Sequence, residues 1–149
     1  MGRSDNLMHI GVLTNHPISC NLLSALADEN EIFKIALFNE RNILHINLLE
    51  TYDLDNEDVC VLGDDAWEEC LFEWVDFHSF DIVWVISFPK KIPRRIYEKA
   101  AFGTLNFHFG RLPRYRGVDP IFWQIRNGEP SGALTVHQLD DNFDTGAVL

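Results

Sequence analysis

No apolar stretch in this chain approaches the roughly 18–20 residues needed to cross a bilayer, so no membrane-spanning helix is expected. The opening Met-Gly-Arg-Ser-Asp-Asn has no apolar signal core behind it, which argues against export and for a cytoplasmic location. Cysteine is scarce. Cys20, Cys60 and Cys70 are odd in number and form no CxxC pair, so they read as free thiols rather than a disulfide frame or a zinc site. His9, His16, His45 and His78 are scattered without metal-ligand spacing, and neither HExxH nor a carboxylate cluster accompanies them; no bound metal is expected. Phosphate-cradling loops are missing as well, since neither GxGxxG nor GxxxxGK[ST] occurs. The first turn carries Asn15-His16-Pro17 where a dinucleotide site would need glycines, which removes the dehydrogenase reading.

What the chain does contain is a repeated strand–helix pattern. Its 149 residues, 46% hydrophobic, suffice for one domain with a sizeable core, and no linker or internal repeat divides them. His9–Thr14 reads as a strand, and Cys20, Leu22, Leu23, Leu26 and Ala27 recur at helical spacing behind it. Residues 32–38 form a second strand, and this βαβ opening implies a parallel sheet. Residues 39–66, rich in Asn, Asp and Glu, are expected to be a loop with at most one short element. A helix is predicted over 67–78, a central buried strand over 81–86, and a helix over 93–100 with Pro93 in its first turn. A strand over 103–107 follows, then a helix from Asp119 as N-cap and Pro120 to about Asn127, with Gly128 beyond its end. Residues 132–138 are a last strand, and Ala147-Val-Leu149 reads as the start of another, as in a naturally short protein or the front part of a longer one. The expected fold is a doubly wound, mostly parallel α/β sheet with its ligand site beyond the strand carboxyl ends.

Charge is distributed unevenly. Residues 90–116 hold eight of the twelve basic residues against the single acid Glu98, a balance of +7 that leaves −18 for the rest of the chain. Two readings follow: a solvated face offsetting an acidic body, or a local attractor for an anionic ligand on a molecule that repels nucleic acid. The same segment contains Asn106-Phe-His108, whose alternating positions put amide and imidazole on one side of a strand. A lone histidine at a strand end is more often structural. Here Asn106 stands beside it, and Gly110, Pro113 and Gly117 punctuate a loop with backbone N–H groups available to a ligand. Asp144-Thr-Gly146 lies in a second turn, 27 residues after Gly117; an ordinary Asx-turn is its plainer reading, with Asp140 and Asp141 close by. His137, within the last strand, reads as a packing or supporting residue.

Together, Asn106-Phe-His108, Leu112-Pro-Arg-Tyr-Arg-Gly117, His137 and Asp144-Thr-Gly146 resemble the folate-dependent formyltransferases, which act on methionyl-tRNA, glycinamide ribonucleotide, amino sugars and peptide-synthetase substrates. The resemblance is strongest over residues 80–149 and implies a formyltransferase catalytic domain across the whole chain. It implies that Asn106, His108 and Asp144 are catalytic and that 10-formyltetrahydrofolate is the donor, with Ser87, Phe88, Pro89, Ile92, Pro93 and Asp141 near the folate. Gly110, Arg111, Tyr115, Arg116 and Gly117 are implied on the acceptor side. Direct amine attack on the formyl carbon would then be assisted by Asn106 and His108 at the oxyanion, about 3–4 kcal/mol per well-placed donor, with Asp144 orienting His108 and aiding proton removal.

Two departures stand out. The family usually has Pro-Ser or Pro-Gly after the histidine, where this chain has Phe109-Gly110, and often a glycine after the aromatic residue of the pterin segment, where this chain has Pro89. The acidic stretch 39–66 argues against a tRNA acceptor, because phosphate contacts supply most nucleic-acid affinity. Gly110 resembles the amino-sugar enzymes, and Gly117-Val-Asp-Pro-Ile-Phe-Trp123 the peptide-synthetase domains. The expected activity is N-formyl transfer to a primary amine of a small or carrier-bound acceptor. A methionyl-tRNA-type enzyme and a catalytically weak folate-binding domain are the alternatives. Oligomeric state is left open.

Overall fold

The computed structural model describes residues 7–28, 32–38, 48, 50–52, 54 and 57–149. Six strands form one sheet: β1 (His9–Thr14), β2 (Ile32–Phe38), β3 (Val59–Leu62), β4 (Ile82–Ile86), β5 (Thr104–His108) and β6 (Thr135–Gln138). Their order is β3-β2-β1-β4-β5-β6, with β6 antiparallel to β5 and every other pair parallel. From β1 the chain builds outward to β2 and β3, then returns to place β4 on the opposite side of β1. That reversal makes the gap between β1 and β4 the topological switch point, where a crevice opens beyond the strand ends.

Side-chain alternation along the strands supplies two apolar faces. On one, Leu13, Ala36, Phe38, Val83 and Val85 pack against Leu71 and Val75 of α2 (Trp67–His78) and against Ile96 and Tyr97 of α3 (Arg94–Tyr97). On the other, Ile10, Val12, Ile35, Leu37 and Phe107 meet Leu23 and Leu26 of α1 (Cys20–Asp28) and the buried Leu48. A fourth helix, α4 (Pro120–Arg126), lies between β5 and β6 in sequence. No described helix is long and apolar enough to cross a membrane.

Several expectations are corrected. Within the stretch read as a loop, residues 59–62 form edge strand β3, and 48 and 50–52 are helical; the remainder of 39–56, apart from 54, falls outside the described residues. The acids flanking Val59-Cys-Val-Leu62 hid a four-residue run whose register on β2 is fixed only by the fold. Helix α3 is one turn rather than 93–100, because Pro93 stays extended as its N-cap and Ala100 instead accepts the Gly103 amide in the next turn. Asp119 precedes α4 in the left-handed region (φ 53°), and its side chain makes no capping bond. Strand β6 starts at Thr135 rather than Gly132. Residues 147–149 do lie alongside β6, with Val148 bridging His137 and the Leu149 amide donating to the Val136 carbonyl at 3.0 Å.

Candidate active site

A cavity of about 790 Å³ opens at the switch point. Its walls come from Asn15, His16 and Ile18 after β1, from residues 87–92 after β4, from 106–109 at the end of β5, and from residues 117–122, 139–140 and 142–144. Three non-glycine residues with positive φ line it, each at 53°: Ser87, Asp119 and Asp144. Left-handed backbone costs such residues about 1–2 kcal/mol each, and its concentration around one cavity is typical of sites that aim groups at a ligand.

Strand β5 and the turn after β6 bring the expected three residues together at the Asp144 carboxylate. Asn106 Nδ2 donates to Oδ1 at 3.2 Å, and the Gly117 backbone N–H donates to Oδ2 at 2.7 Å. His108 Nδ1 lies 3.5 Å from Oδ2. A fourth group arrives that the sequence reading left in a supporting role: His137 Nε2 stands 3.4 Å from Oδ1 and 3.1 Å from Asn106 Nδ2. His137 faces Asn106 directly in the antiparallel β5–β6 register, a pairing that could not be seen without knowing β6 runs against β5. The acidic side chain is only 10% exposed and His137 only 1%.

Burial alone would push the Asp144 carboxyl upward, but the His137 bond, the Gly117 amide and the nearby imidazoles outweigh it and hold the group below the usual carboxylate range. For His137 burial opposes charging, and the Asp144 carboxylate and Gln138 carbonyl overcome it, leaving the ring above its ordinary value. The tautomers follow from the acceptors. His108 Nε2 meets the Tyr115 carbonyl, so it carries the hydrogen and a neutral ring presents its Nδ1 lone pair toward Asp144. His137 Nδ1 likewise donates to the Gln138 carbonyl at 2.8 Å, leaving Nε2 toward Asn106 and Asp144.

Of the residues assigned to folate by resemblance, Ser87, Phe88, Pro89 and Ile92 line the cavity. Pro93 and Asp141 do not: Pro93 caps α3, and the Asp141 carboxylate accepts the Tyr97 hydroxyl at 2.7 Å. Among the acceptor-side residues only Gly117 is a wall residue. The others stand behind it. Arg116 Nε donates to the Asp144 carbonyl at 2.9 Å, and the Tyr115 hydroxyl donates to Glu129 at 2.6 Å. Gly110 is buried where a Cβ would fall 2.9 Å from His108 Nε2, and Arg111 is exposed outside the wall.

The basic segment divides in the same way. Arg94, Arg95, Lys99 and Arg114 pair with Glu98, Glu68 and Glu69, Asp76 and Glu129, which fits the charge-offsetting reading. Lys90 and Lys91, part of the segment read as an anion attractor, line the cavity. Lys91 Nζ donates to the Asp141 carbonyl at 2.7 Å, and Lys90 Nζ lies 5.6 Å from the Phe38 ring centre. The local-attractor reading therefore rests on two lysines.

The arrangement resembles known proteins in sequence and in fold. Over 75 residues, half of this chain, it is 37% identical to a methionyl-tRNA formyltransferase of Sorangium cellulosum, and over 73 residues, 48% of this chain, it is 41% identical to a GDP-perosamine N-formyltransferase of Brucella melitensis. These matches span 24% and 28% of the two relatives, so the chain covers about a quarter of their length. A glycinamide ribonucleotide transformylase of Symbiobacterium toebii superposes with a TM-score of 0.78 at 16% identity, over 98% of this chain and 72% of the other. HypX of Aquifex aeolicus, in a structure with tetrahydrofolic acid, gives 0.70 at 20% identity over 96% of this chain and 20% of its own. At such identities the likeness is one of fold. The family model for formyl transferase matches residues 10–149, and the chain belongs to that family.

Proposed function

We propose that this chain transfers a formyl group from 10-formyltetrahydrofolate to a primary amine of a small or carrier-bound acceptor, such as an amino sugar. The observation that carries the reading is the convergence of Asn106, His108 and His137 on the buried Asp144 carboxylate at a cavity wall.

The cavity suits the donor. Phe88 and Ile92 offer apolar surface to a flat ring, and Lys90 and Lys91 stand beside them where an anionic tail could be met. When bound, the donor supplies the formyl group. The chain's own residues supply the rest. His108 Nδ1 and Asp144 Oδ2 form a pair able to hold the proton released by an attacking amine, since an imidazolium Nδ1–H facing a carboxylate is stabilised by that charge. Asn106 carries the amide N–H donors at the oxyanion side. Gly117 and Arg116 hold Asp144 in its left-handed turn, keeping the carboxylate aimed at both rings.

A methionyl-tRNA acceptor is the competing reading, motivated by the sequence similarity to such an enzyme. Net charge supports the smaller acceptor: −11 overall, with four of the eight basic residues of segment 90–116 paired with carboxylates. Formyl transfer measured side by side with free amino sugars, nucleotide-linked amino sugars and methionyl-tRNA tests the choice. Transfer to at least one amino sugar at a higher kcat/KM than to methionyl-tRNA is expected; the reverse order rejects the small-acceptor reading.

A further inference from the structure

The Asn106 amide nitrogen stands between two acceptors, 3.2 Å from Asp144 Oδ1 and 3.1 Å from His137 Nε2, and the ring nitrogen can accept from it only while that ring is neutral. While both contacts hold, the amide N–H groups are drawn toward these acceptors and away from a substrate oxygen. We propose that His137 is a positioning residue for Asn106: as an imidazolium it bonds to Asp144 Oδ1 itself and releases an Asn106 N–H to bind the oxygen of the transferring carbonyl. This rests on the formyl-transfer reading above.

The geometry allows one rearrangement and little else. His137 Nδ1 stays bound to the Gln138 carbonyl at 2.8 Å in either state, so the ring is anchored and an added proton must go to Nε2. From there the Asp144 Oδ1 acceptor is 3.4 Å away. An N–H on Nε2 then opposes the Asn106 N–H that had pointed at it, and the amide hydrogen is displaced toward the cavity that Asn106 lines. His137 is 1% exposed, so the ring has no room to turn away.

The groups facing His137 favour its charged form. Asp144 and Asp140 reach it from the turn after β6, and the Gln138 carbonyl from β6 itself. Asn106 of β5 is neutral, Val148 pairs on the outer side, and His108 meets the same carboxylate at its other oxygen. Arg116 engages the Asp144 main-chain carbonyl rather than the carboxylate.

Nitrogen NMR on the full chain tests this without relying on turnover, using formate as a probe of the oxyanion position. The expected result is that the side-chain amide protons of Asn106 shift with the same pH midpoint as the His137 ring. Formate affinity should rise about tenfold across that midpoint, the worth of one hydrogen bond to a charged ligand, and His137→Phe should abolish that pH-dependent rise. Asn106 protons that ignore the His137 titration overturn the proposal, as does a formate pH dependence unchanged in His137→Phe. If that variant does not fold, the wild-type titration alone decides. Formyl transfer measured on the same sample separates the two ideas. Linked titration without transfer to any amine rejects the activity and keeps the positioning role, whereas transfer without linked titration does the opposite.

Discussion

Asp144 holds four partners on two oxygens while sitting in left-handed backbone, and each partner has a measurable share in what that carboxylate does. Removing the amide donor with Asn106→Ala is expected to lower kcat by about 10²–10³, the range for one oxyanion donor. Removing the ring proposed to hold the proton with His108→Ala should lower it by about 10²–10⁴, and steady-state rates of the two variants check both. The double variant should fall by less than the product, because both act through one carboxylate. The same network sets a pH window for stability. Asp144 titrates lower in the folded chain, so its contribution is present above about pH 3.9, the unfolded value, and is lost as pH falls through the folded one. His137 titrates higher, so its contribution is complete below about pH 6.5 and is lost as pH rises through its folded value. Thermal unfolding from pH 3 to 9 should therefore show a plateau with both limbs, and Asp144→Asn should flatten the acid limb. A limb that persists unchanged in that variant contradicts the linkage.

At the scale of elements, the turn joining β6 to residues 147–149 carries more of the site than its length suggests. A Cβ at Gly146 would fall 1.8 Å from the Gln138 carbonyl oxygen and 2.8 Å from its carbon, both backbone atoms, so Gly146→Ala must move the turn. The expected cost is about 1–3 kcal/mol of stability, read by urea unfolding, with a loss of formyl transfer because Asp144 moves with the turn. Unaltered stability and activity would show that the turn adapts. The Asn106/His108 half of the site was legible in the sequence because both residues lie on one strand, where period-two alternation fixes their side. Spacing made Asp144 a candidate beside a plain Asx-turn reading, the resemblance implied it as catalytic, and His137 was left in a supporting role. Its position depends on β6 pairing antiparallel to β5, a long-range choice that no local pattern encodes. Edge strand β3 was missed for a related reason: four apolar residues in an acidic stretch become a strand only when β2 is beside them. Helix α3 was read too long because the helix-forming residues 98–100 follow an ideal start, and packing of Ala100 decided the end.

For the whole molecule, charge determines what can approach the crevice. The acidic chain leaves two lysines at the cavity, and the other described cations of the basic segment that form ion pairs are tied to Glu and Asp partners. Exposed ion pairs of this kind add little stability, roughly 0–1 kcal/mol each, so their removal should leave unfolding almost unchanged. Reversing the cavity charge with Lys90→Glu and Lys91→Glu together should raise the KM for the polyanionic donor about tenfold at low salt and less at high salt. Added tRNA should leave transfer to a small amine within about twofold at physiological salt, because the chain is acidic overall and half of its basic segment is ion-paired. Strong inhibition by tRNA would favour the larger acceptor instead. The doubly wound sheet, with its ligand side beyond the strand carboxyl ends, was legible from the alternation of strands and helices, while the strand order and the division of the basic segment between paired and cavity-lining residues required the folded arrangement. The most direct test of the account is single-turnover formyl transfer by the wild-type chain and by Asp144→Asn, each confirmed folded. A fall of about 10²–10⁴ in the transfer rate with donor binding retained is the predicted result; a variant within about threefold of wild type would contradict it.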